Sequence, residues 1–426
     1  MGWKVSRHQG FPLGIYNSRF AANETLFTAR FAENVAVAVK TCHNRRKNAE
    51  NAEMTYIHQR PGWPHLKWDD ARLMPVLADT RHRQGRLLGQ MEGLGFTLRS
   101  EASLTTLTSD VVGSSAIEGE KLNAEEVRSS IARRLGIEYA GAAVASRNVE
   151  GVVEMMLDGT RRFAEPLTVE RLFGWHSSLF PTGRSGMHRI TVGAWRPAEA
   201  GAMQVVSGPV GHEKVHFEAP EAGRLDAEMA RFLEWFEGAT DIDPVLKAGI
   251  AHFWFVTIHP FEDGNGRIAR AIADMALARA DRTADRFYSM SAQIETERKD
   301  YYDILERGQR GGLDITPWLE WFLDCLGRAI DKAQESLAGT LRKARLWEWI
   351  HRLPVNERQR KVINRLLDGF EGKLSSSKYA KLAKCSADTA LRDIKELLER
   401  GILIQDEAGG RSTSYHLAEI DEDAGK

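Results

Sequence analysis

A twelve-residue run from His259 to Arg270, HPFEDGNGRIAR, brings together a base, a carboxylate and a glycine-rich loop. An unperturbed imidazole titrates near pH ~6.5, so His259 is mostly neutral at physiological pH and can accept a proton from a hydroxyl group. Asp263 supplies hard oxygen ligands of the kind that Mg²⁺ uses when it bridges phosphates. Gly264 and Gly266 let the backbone approach an anion. The run therefore predicts a nucleotide-handling site.

The residues on either side of the run indicate two helices that position it. From Val245 to Ile258 almost every residue is apolar, which is typical of a helix buried on most sides. Apolar residues then recur at helical spacing from Arg267 to Ala280. The loop should end at a helix N-terminus, where unpaired amides and the helix dipole attract phosphate. Asn265 can donate its amide to a phosphate, and Arg270, three residues after Arg267, can clamp another.

A plain helix–loop–helix connection with a buried structural histidine is the alternative interpretation. Asp-Gly and Asn-Gly pairs are common turn residues, so positions 263–266 alone favour that interpretation. A turn has no use for the flanking His259 and the two arginines, however. The complete string therefore favours the phosphate site.

The string resembles the signature of Fic-domain proteins, His-Pro-Phe-x-Asp/Glu-Gly-Asn-Gly-Arg-x-x-Arg, without a departure, and the resemblance spans roughly residues 100–310. The resemblance implies transfer of AMP from ATP to a Ser, Thr or Tyr hydroxyl of a protein, with self-modification included. It implies that His259 is the general base and that Asp263 binds Mg²⁺. It assigns the nucleotide phosphates to Gly264, Asn265, Gly266, Arg267 and Arg270.

A second motif lies at residues 114–119, SSAIEG, near the end of a predicted helix. An apolar stripe, when continued along the helix, places Ser115 and Glu118 on its inward face; it consists of Leu104, Leu107 and Val111. Gly119 is a suitable residue for ending the helix. A frayed helix end with Glu118 in solvent is equally compatible with the sequence.

The same segment resembles the inhibitory pattern of Fic proteins, Ser/Thr-x-x-x-Glu-Gly/Asn, on Ser114, Glu118 and Gly119. The resemblance implies that Glu118 pairs with Arg270 and keeps ATP from docking productively. In some relatives the equivalent glutamate aligns a water for removing AMP. The sequence leaves both roles open.

Two β-prone runs, at residues 203–207 and 212–217, surround a Gly/Pro turn and predict a hairpin. In Fic proteins the corresponding flap accepts a target segment as an added strand; the resemblance assigns this docking to Met203, Gln204, Val205, Val206 and Ser207. A surface hairpin without a binding role is the alternative. The second run also matches the zinc-protease pattern H-E-x-x-H, but on a strand His212 and His216 lie too far apart for one zinc ion.

Composition points to a cytoplasmic protein with several domains. The chain has 426 residues with 58 basic and 59 acidic side chains, so its net charge does not indicate a polyanionic partner. Its three cysteines are far apart, which argues against a disulfide framework. No apolar run approaches the ~20 residues of a membrane helix.

The helical patterns predict a mainly α fold with one β-hairpin, and the resemblance implies a helical Fic core with that hairpin as its flap. Residues 1–53 have no sustained period, so we expect a poorly ordered extension and a true start at Met54. Residues 54–135 predict an N-terminal helical domain that includes the inhibitory helix. In it, Asn123 and Glu126 predict a capped helix that ends before Gly136. Residues 136–340 then form the Fic catalytic domain.

Residues 341–426 predict a separate C-terminal domain. Helices at residues 377–383 and 387–400, followed by strands at 402–404 and 414–417 around a Gly-Gly-Arg tip, resemble a winged-helix domain. From residue 377 to 417 seven basic residues face six acidic ones, a weak electrostatic footprint for DNA. DNA binding, homodimerisation and target recruitment all stay open. The alternative function is a DNA-binding regulator with a nucleotide-sensing Fic half, although a sensor would not need His259 as a base.

Overall fold

The computed structural model describes residues 36–40, 56–137, 143–198, 201–208, 212–350, 353–367, 370, 372–406 and 413–418. The chain divides into two compact units, Met1–Ala333 and Gln334–Lys426. Most described residues are helical, which confirms the predicted mainly α fold class. No helix in the described part of the chain is both long and apolar enough to cross a membrane.

Helices make up most of the first unit. In chain order they are α1 (Asp70–Glu92), α2 (Phe96–Ile117), α3 (Ala124–Leu135), α4 (Arg147–Arg161), α5 (Val169–Leu179), α6 (Leu225–Glu237), α7 (Pro244–Ile258), α8 (Asn265–Asp281), α9 (Met290–Thr296), α10 (Arg298–Gln309) and α11 (Thr316–Ile350), whose range extends past residue 333.

Short strands complete the first unit: β1 (Ala36–Lys40), β2 (Arg184–Ser185), β3 (His188–Arg189), β4 (Ala202–Ser207) and β5 (Lys214–Glu218). The flap predicted from the sequence is the antiparallel pair β4 and β5. On its other edge β4 pairs with β1, so that Ala36 lies opposite Val206 and Lys40 opposite Ala202. The sequence analysis assigned no element to β1, and it did not anticipate the small β2–β3 hairpin.

Parts of two predicted segments lie outside the described residues. They are residues 1–35 and 41–55 of the predicted N-terminal region, and residues 209–211 of the flap turn. The separation of residues 54–135 from 136–340 as two domains stays a prediction.

The core of the first unit is built around α7. Asp243 caps this helix, because its carboxylate accepts a hydrogen bond from Val245 N at 2.8 Å, and Pro244 occupies the first turn, where its missing amide costs nothing. From Val245 to Ile258 every residue except Lys247 is buried, as the apolar run predicted. Each large side chain buried there contributes roughly 1.5–3 kcal/mol. α7 packs along α8, and this pairing positions the loop between them.

The N-terminal helices follow their local signals. Asn123 Oδ1 accepts hydrogen bonds from Glu125 N at 2.9 Å and Glu126 N at 3.4 Å, so the predicted cap of α3 forms. α3 ends at Leu135, and Gly136 follows it. α2 ends at Ile117, where Gly119, with φ 85°, takes a left-handed conformation that glycine adopts without strain.

The second unit contains α12 (Glu357–Leu367), α13 (Ser376–Ala383), α14 (Ala387–Glu399), β6 (Leu403–Gln405) and β7 (Tyr415–Leu417). β6 and β7 pair antiparallel, and Leu374 bridges to Tyr415. The core of this unit includes Val362, Tyr379 and Leu397. The two helices and two strands predicted here are present, while the Gly409-Gly410-Arg411 tip lies outside the described residues. The winged-helix assignment stays a prediction.

Candidate active site

The predicted site forms the loop between the end of α7 and the start of α8. His259 follows the last residue of α7 and has a left-handed backbone, φ 52° and ψ 57°. α8 begins at Asn265, two residues before the start expected from the sequence, directly after Gly264, whose φ is 82°. The loop therefore delivers a histidine and a helix N-terminus to the same place.

The side chain of His259 is buried and hydrogen-bonded through one ring nitrogen. Its side chain is 8% exposed, and Nδ1 donates a hydrogen bond to Val256 O at 3.1 Å. Since a carbonyl oxygen only accepts, the proton of the neutral ring lies on Nδ1 and the lone pair lies on Nε2. Burial lowers the pKa of His259 to about 4, although the bond to Val256 acts in the opposite direction. The ring is therefore neutral at pH 7 and can accept a proton at Nε2.

Asp263 lies just before the N-terminus of α8, and its carboxylate is partly exposed. Oδ1 accepts from Gly264 N at 2.6 Å, and Oδ2 accepts from the hydroxyl of Ser185 in β2. Among the described residues no group of three or more potential metal ligands exists. One carboxylate beside a phosphate-binding loop fits Mg²⁺, which keeps several waters and takes its other ligands from phosphates.

Asn265 shapes the loop rather than facing a ligand. Its Oδ1 accepts from Phe261 N at 2.9 Å and its Nδ2 donates to Phe261 O at 2.8 Å. The side-chain bond to phosphate that we expected from the sequence is therefore replaced by a bond that closes the loop. Any contact of Asn265 with an anion is left to its backbone amide in the first turn of α8.

Arg270 and Glu118 form an ion pair inside the protein. Arg270 Nη2 donates to Glu118 Oε1 at 2.8 Å and to Ser114 O at 2.9 Å, and Nε donates to Ser114 Oγ at 2.9 Å. Arg270 is buried, while the side chain of Glu118 is 24% exposed. The alternative of a solvated Glu118 at a frayed helix end is therefore wrong. A side chain on Gly266 would overlap with the Glu118 carboxylate, so this carboxylate lies directly against the glycine loop.

Arg267 has a carboxylate partner that the sequence analysis missed. Its Nη1 donates to Glu120 Oε2 at 2.9 Å, and its guanidinium lies 5.1 Å from the ring centre of Phe180. Glu120 follows Glu118 by two residues, just past the turn at Gly119. The sequence signal for this pair was the acidic residue two positions after Glu118. Such a residue can reach Arg267, which shares a helix face with Arg270.

The site lies in a cleft of about 70 Å³. His259, Glu118 and the loop from Asp263 to Gly266 line one side of the cleft. The flap and α10 line the rest, with Val205, His216, Phe217, Tyr301, Tyr302, Leu305, Glu306 and Gln309. Most of the predicted chemistry therefore meets at one cavity.

The flap is fastened to α10 through His216. Ser207 Oγ lies 2.6 Å from His216 Nε2, and His216 Nδ1 lies 2.5 Å from Glu306 Oε2. His216 lies on β5, as expected from the sequence, so the H-E-x-x-H match is not helical. In β4, Met203 and Val206 are buried, Val205 lines the cleft and Gln204 donates to Glu218 at 2.7 Å.

Family comparisons agree with the geometry of the site. Residues 166–277 match the model of the Fic/DOC family. The chain contains a Fic domain. Before it, residues 56–137 match a domain of unknown function, DUF4172. The resemblance predicted from the signature is thereby confirmed.

Curated relatives named protein adenylyltransferase Fic match the Fic domain and its surroundings. The chain is 28% identical over 221 residues to the protein of Drosophila mojavensis, covering 50% of this chain and 39% of that protein. It is 33% identical over 147 residues to the protein of Culex quinquefasciatus, covering 34% of this chain and 27% of that protein. The chain therefore spans well under two thirds of the length of these relatives.

Solved structures similar to this chain include a Fic family protein from Desulfovibrio desulfuricans G20. It has a TM-score of 0.46 and 22% identity, and the match covers 82% of this chain and 97% of that chain. A Fic domain containing signaling protein from Bacteroides thetaiotaomicron has a TM-score of 0.45 and 19% identity, with 61% and 97% covered.

Proposed function

We propose that the protein transfers AMP from Mg-ATP to a Ser, Thr or Tyr hydroxyl of a protein target, its own chain included, and that Glu118 holds this activity down. The observation that carries the proposal is the state of His259. A neutral, buried imidazole with its lone pair on Nε2 lines the same cleft as the first residues of α8, and Arg267 and Arg270 follow in the first turns of that helix. A general base beside a phosphate site is what nucleotidyl transfer to a hydroxyl requires.

The transfer is a substitution at the α-phosphorus of ATP. His259 Nε2 takes the proton of the target hydroxyl while the hydroxyl oxygen forms a bond to the α-phosphorus. The bond from that phosphorus to the bridging oxygen breaks, and pyrophosphate leaves. The amides at the start of α8 and Arg267 stabilise the charge on the phosphates, and Arg270 holds the terminal one.

Asp263 is the residue that would hold magnesium. When bound, Mg²⁺ supplies positive charge to the phosphate oxygens of the nucleotide. Ser185 donates to Oδ2 of Asp263 and Gly264 N donates to Oδ1, so both oxygens are oriented before any ion arrives. The β2–β3 hairpin thus supports the carboxylate from outside the signature.

The inhibition follows from competition for the arginines. Glu118 takes Nη2 of Arg270, which a terminal phosphate needs, and its negative charge repels that phosphate. Glu120 takes Nη1 of Arg267 in the same way. Because both carboxylates follow α2, displacement of the end of α2 would release both arginines.

The flap supports docking of an extended target segment. β4 has one edge paired with β5, and on its other edge it pairs with the strand Ala36–Lys40 of the same chain. That edge therefore accepts an antiparallel strand, and a target strand would take the same place beside the cleft. Main-chain hydrogen bonds then position the acceptor hydroxyl, while the side chains decide which target binds.

Removal of AMP from a modified protein is the second candidate, and the position of Glu118 favours it. Glu118 lines the cleft together with His259. A carboxylate at that place can orient a water toward the phosphorus of a bound AMP group. DNA binding and homodimer formation stay predictions from the sequence.

Labelled ATP tests the proposal. We expect Glu118→Gly to raise incorporation of α-labelled AMP into the protein itself or into lysate proteins, and His259→Ala in that background to abolish it. ATP labelled on its terminal phosphate should leave no label on protein, which separates this reaction from phosphorylation. Labelling that survives His259→Ala would contradict the mechanism. Loss of AMP from a pre-labelled protein that requires Glu118 would support the second candidate.

A further inference from the structure

Arg196 is a buried arginine without an acidic partner in the described part of the chain. It is 3% exposed, and it belongs to the chain segment that connects β3 to β4. It is bonded only to backbone carbonyls, since Nε donates to His259 O at 2.9 Å and Nη2 donates to Pro220 O. Nη1 has no hydrogen-bond partner within the described residues. Burying a charge without a counter-charge is costly, so this arginine needs a compensating role.

Two of the bonds of Arg196 are made to consecutive residues of the loop, His259 and Pro260. Its backbone amide donates to Pro260 O at 2.9 Å, while its side chain donates to His259 O. His259 has a left-handed backbone, φ 52°, which costs a non-glycine residue on the order of 1 kcal/mol. Such a backbone persists only where neighbouring contacts fix it. Arg196 supplies two of those contacts.

We propose that Arg196 is a positioning residue for His259, whose guanidinium fixes the left-handed turn that directs imidazole Nε2 into the cleft. The inference rests on the proposed function, in which His259 is the base. Arg196 does not line the cleft and touches neither the nucleotide site nor the imidazole ring. It acts through the backbone of His259.

The positive charge of Arg196 also favours the neutral form of His259, the form that can accept a proton. Burial is the largest cause that lowers the pKa of His259 to about 4, and the positive charge of Arg196 lowers it further. The Val256 carbonyl and the negative charges of Glu118 and Asp263 raise it. Burial also lowers the pKa of Arg196 itself, to about 10, so this arginine is charged at neutral pH. Loss of its charge should therefore raise the pKa of His259.

Two substitutions separate the charge from the shape, both in the Glu118→Gly background. Arg196→Met removes the charge and the donors but keeps an unbranched apolar side chain. We expect it to lower kcat for AMP transfer by about tenfold or more while KM for ATP stays within about twofold. We also expect it to raise the titration midpoint of the His259 ring, followed by NMR without nucleotide. Arg196→Lys should restore the midpoint and part of kcat.

Arg286→Met is the matched control, because Arg286 is equally buried but pairs with Asp274 and Asp281. It should lower stability and leave the His259 midpoint unchanged. The proposal is overturned if Arg196→Met leaves kcat and the midpoint at the parent values, or if Arg286→Met shifts the midpoint as much. If Arg196→Met does not fold, the proposal is tested with Arg196→Lys instead. A kcat of Arg196→Lys equal to that of the parent protein would then overturn the proposal. The NMR titration needs no activity and is readable even if the protein transfers no AMP.

Discussion

Glu120 Oε2 lies 2.9 Å from Arg267 Nη1, so both arginines of the signature, Arg267 and Arg270, are paired with carboxylates. Glu118 and Glu120 are two residues apart after α2, and they meet Arg270 and Arg267, three residues apart on α8. Gly119, which has a left-handed backbone with φ 85°, lies between the two glutamates. In this structure each of the two arginines therefore has one guanidinium nitrogen bonded to a carboxylate.

Glu120→Gln is expected to strengthen ATP binding about two- to fivefold, because a partly exposed ion pair contributes only about 1 kcal/mol or less. The gain should persist in the Glu118→Gly background, since Glu120 pairs with a different arginine. Titration calorimetry with a non-hydrolysable ATP analogue and Mg²⁺ measures the dissociation constant. Glu295→Gln, at an exposed glutamate of α9, removes the same charge elsewhere and should change nothing. An affinity that Glu120→Gln leaves unaltered would refute a role for Glu120 in inhibition.

The pH dependence of AMP transfer should reflect the buried state of His259. Its pKa of about 4 means that the ring stays neutral, and able to accept a proton, well below the usual value of histidine. We expect kcat/KM of the Glu118→Gly variant to be level down to pH ~5 and to fall as the pH approaches ~4. Removal of Glu118 strengthens this effect, because its negative charge raises the pKa. An acid limb centred near the ordinary pKa of histidine, ~6.5, would contradict it.

Asp274 predicts a pH-dependent stability. It is buried in α8, and burial, followed by the negative charge of Asp110, raises its pKa well above the usual value, although Arg286 lies 3.3 Å away. The folded protein thus keeps a proton that the unfolded chain loses near pH ~3.9. The stability from this proton is complete below that pH and is lost as the pH rises through the folded pKa.

Asp274→Asn removes this titration while keeping the shape of the neutral acid. The free energy of unfolding of the variant, measured in urea, should therefore fall less between pH 5 and pH 8 than that of the parent protein. The opposite order would show that Arg286 keeps Asp274 ionised.

The close crossing of α4 and α5 predicts a steric effect. A side chain on Gly151 would overlap with the carbonyl oxygen of Ser178, so Gly151→Ala requires movement of the backbone. We expect a loss of about 1–3 kcal/mol or more in the free energy of unfolding. Gly174→Ala, in α5, meets no atom within 4 Å and should instead gain about 0.5–1 kcal/mol. Urea denaturation compares the two, and a loss of equal size at both positions would contradict the steric explanation.

Local patterns were sufficient to predict the elements that carry the site. The apolar run before His259 predicted α7, and the Asn123 cap predicted the start of α3. These features depend on spacing within one or two turns, which a sequence states directly. Of the signature residues, His259 and the loop from Asp263 to Gly266 line the cleft, while the roles assigned to them and to the two arginines stay predictions.

Contacts between distant parts of the chain were not predictable in the same way. Glu120 and Arg267 are 147 residues apart, Ser185 and Asp263 are 78 apart, and Arg196 and His259 are 63 apart. No periodicity links such pairs, because they meet only after the helices have packed. Asn265 shows that a suitable residue type does not determine the contacts of a side chain. Its amide could donate to a phosphate, but in the structure both polar atoms of the side chain bond to the backbone of Phe261.

Glu118 and Arg270 belong to one polypeptide, so under the proposed function the inhibition by Glu118 does not weaken when the protein is diluted. A tethered carboxylate is present at an effective concentration that a free competitor reaches only in the millimolar range. Raising ATP alone is therefore an inefficient way to switch the protein on. A physiological activator has to act on the end of α2 itself, and its binding energy sets how far the population shifts toward the open arginines.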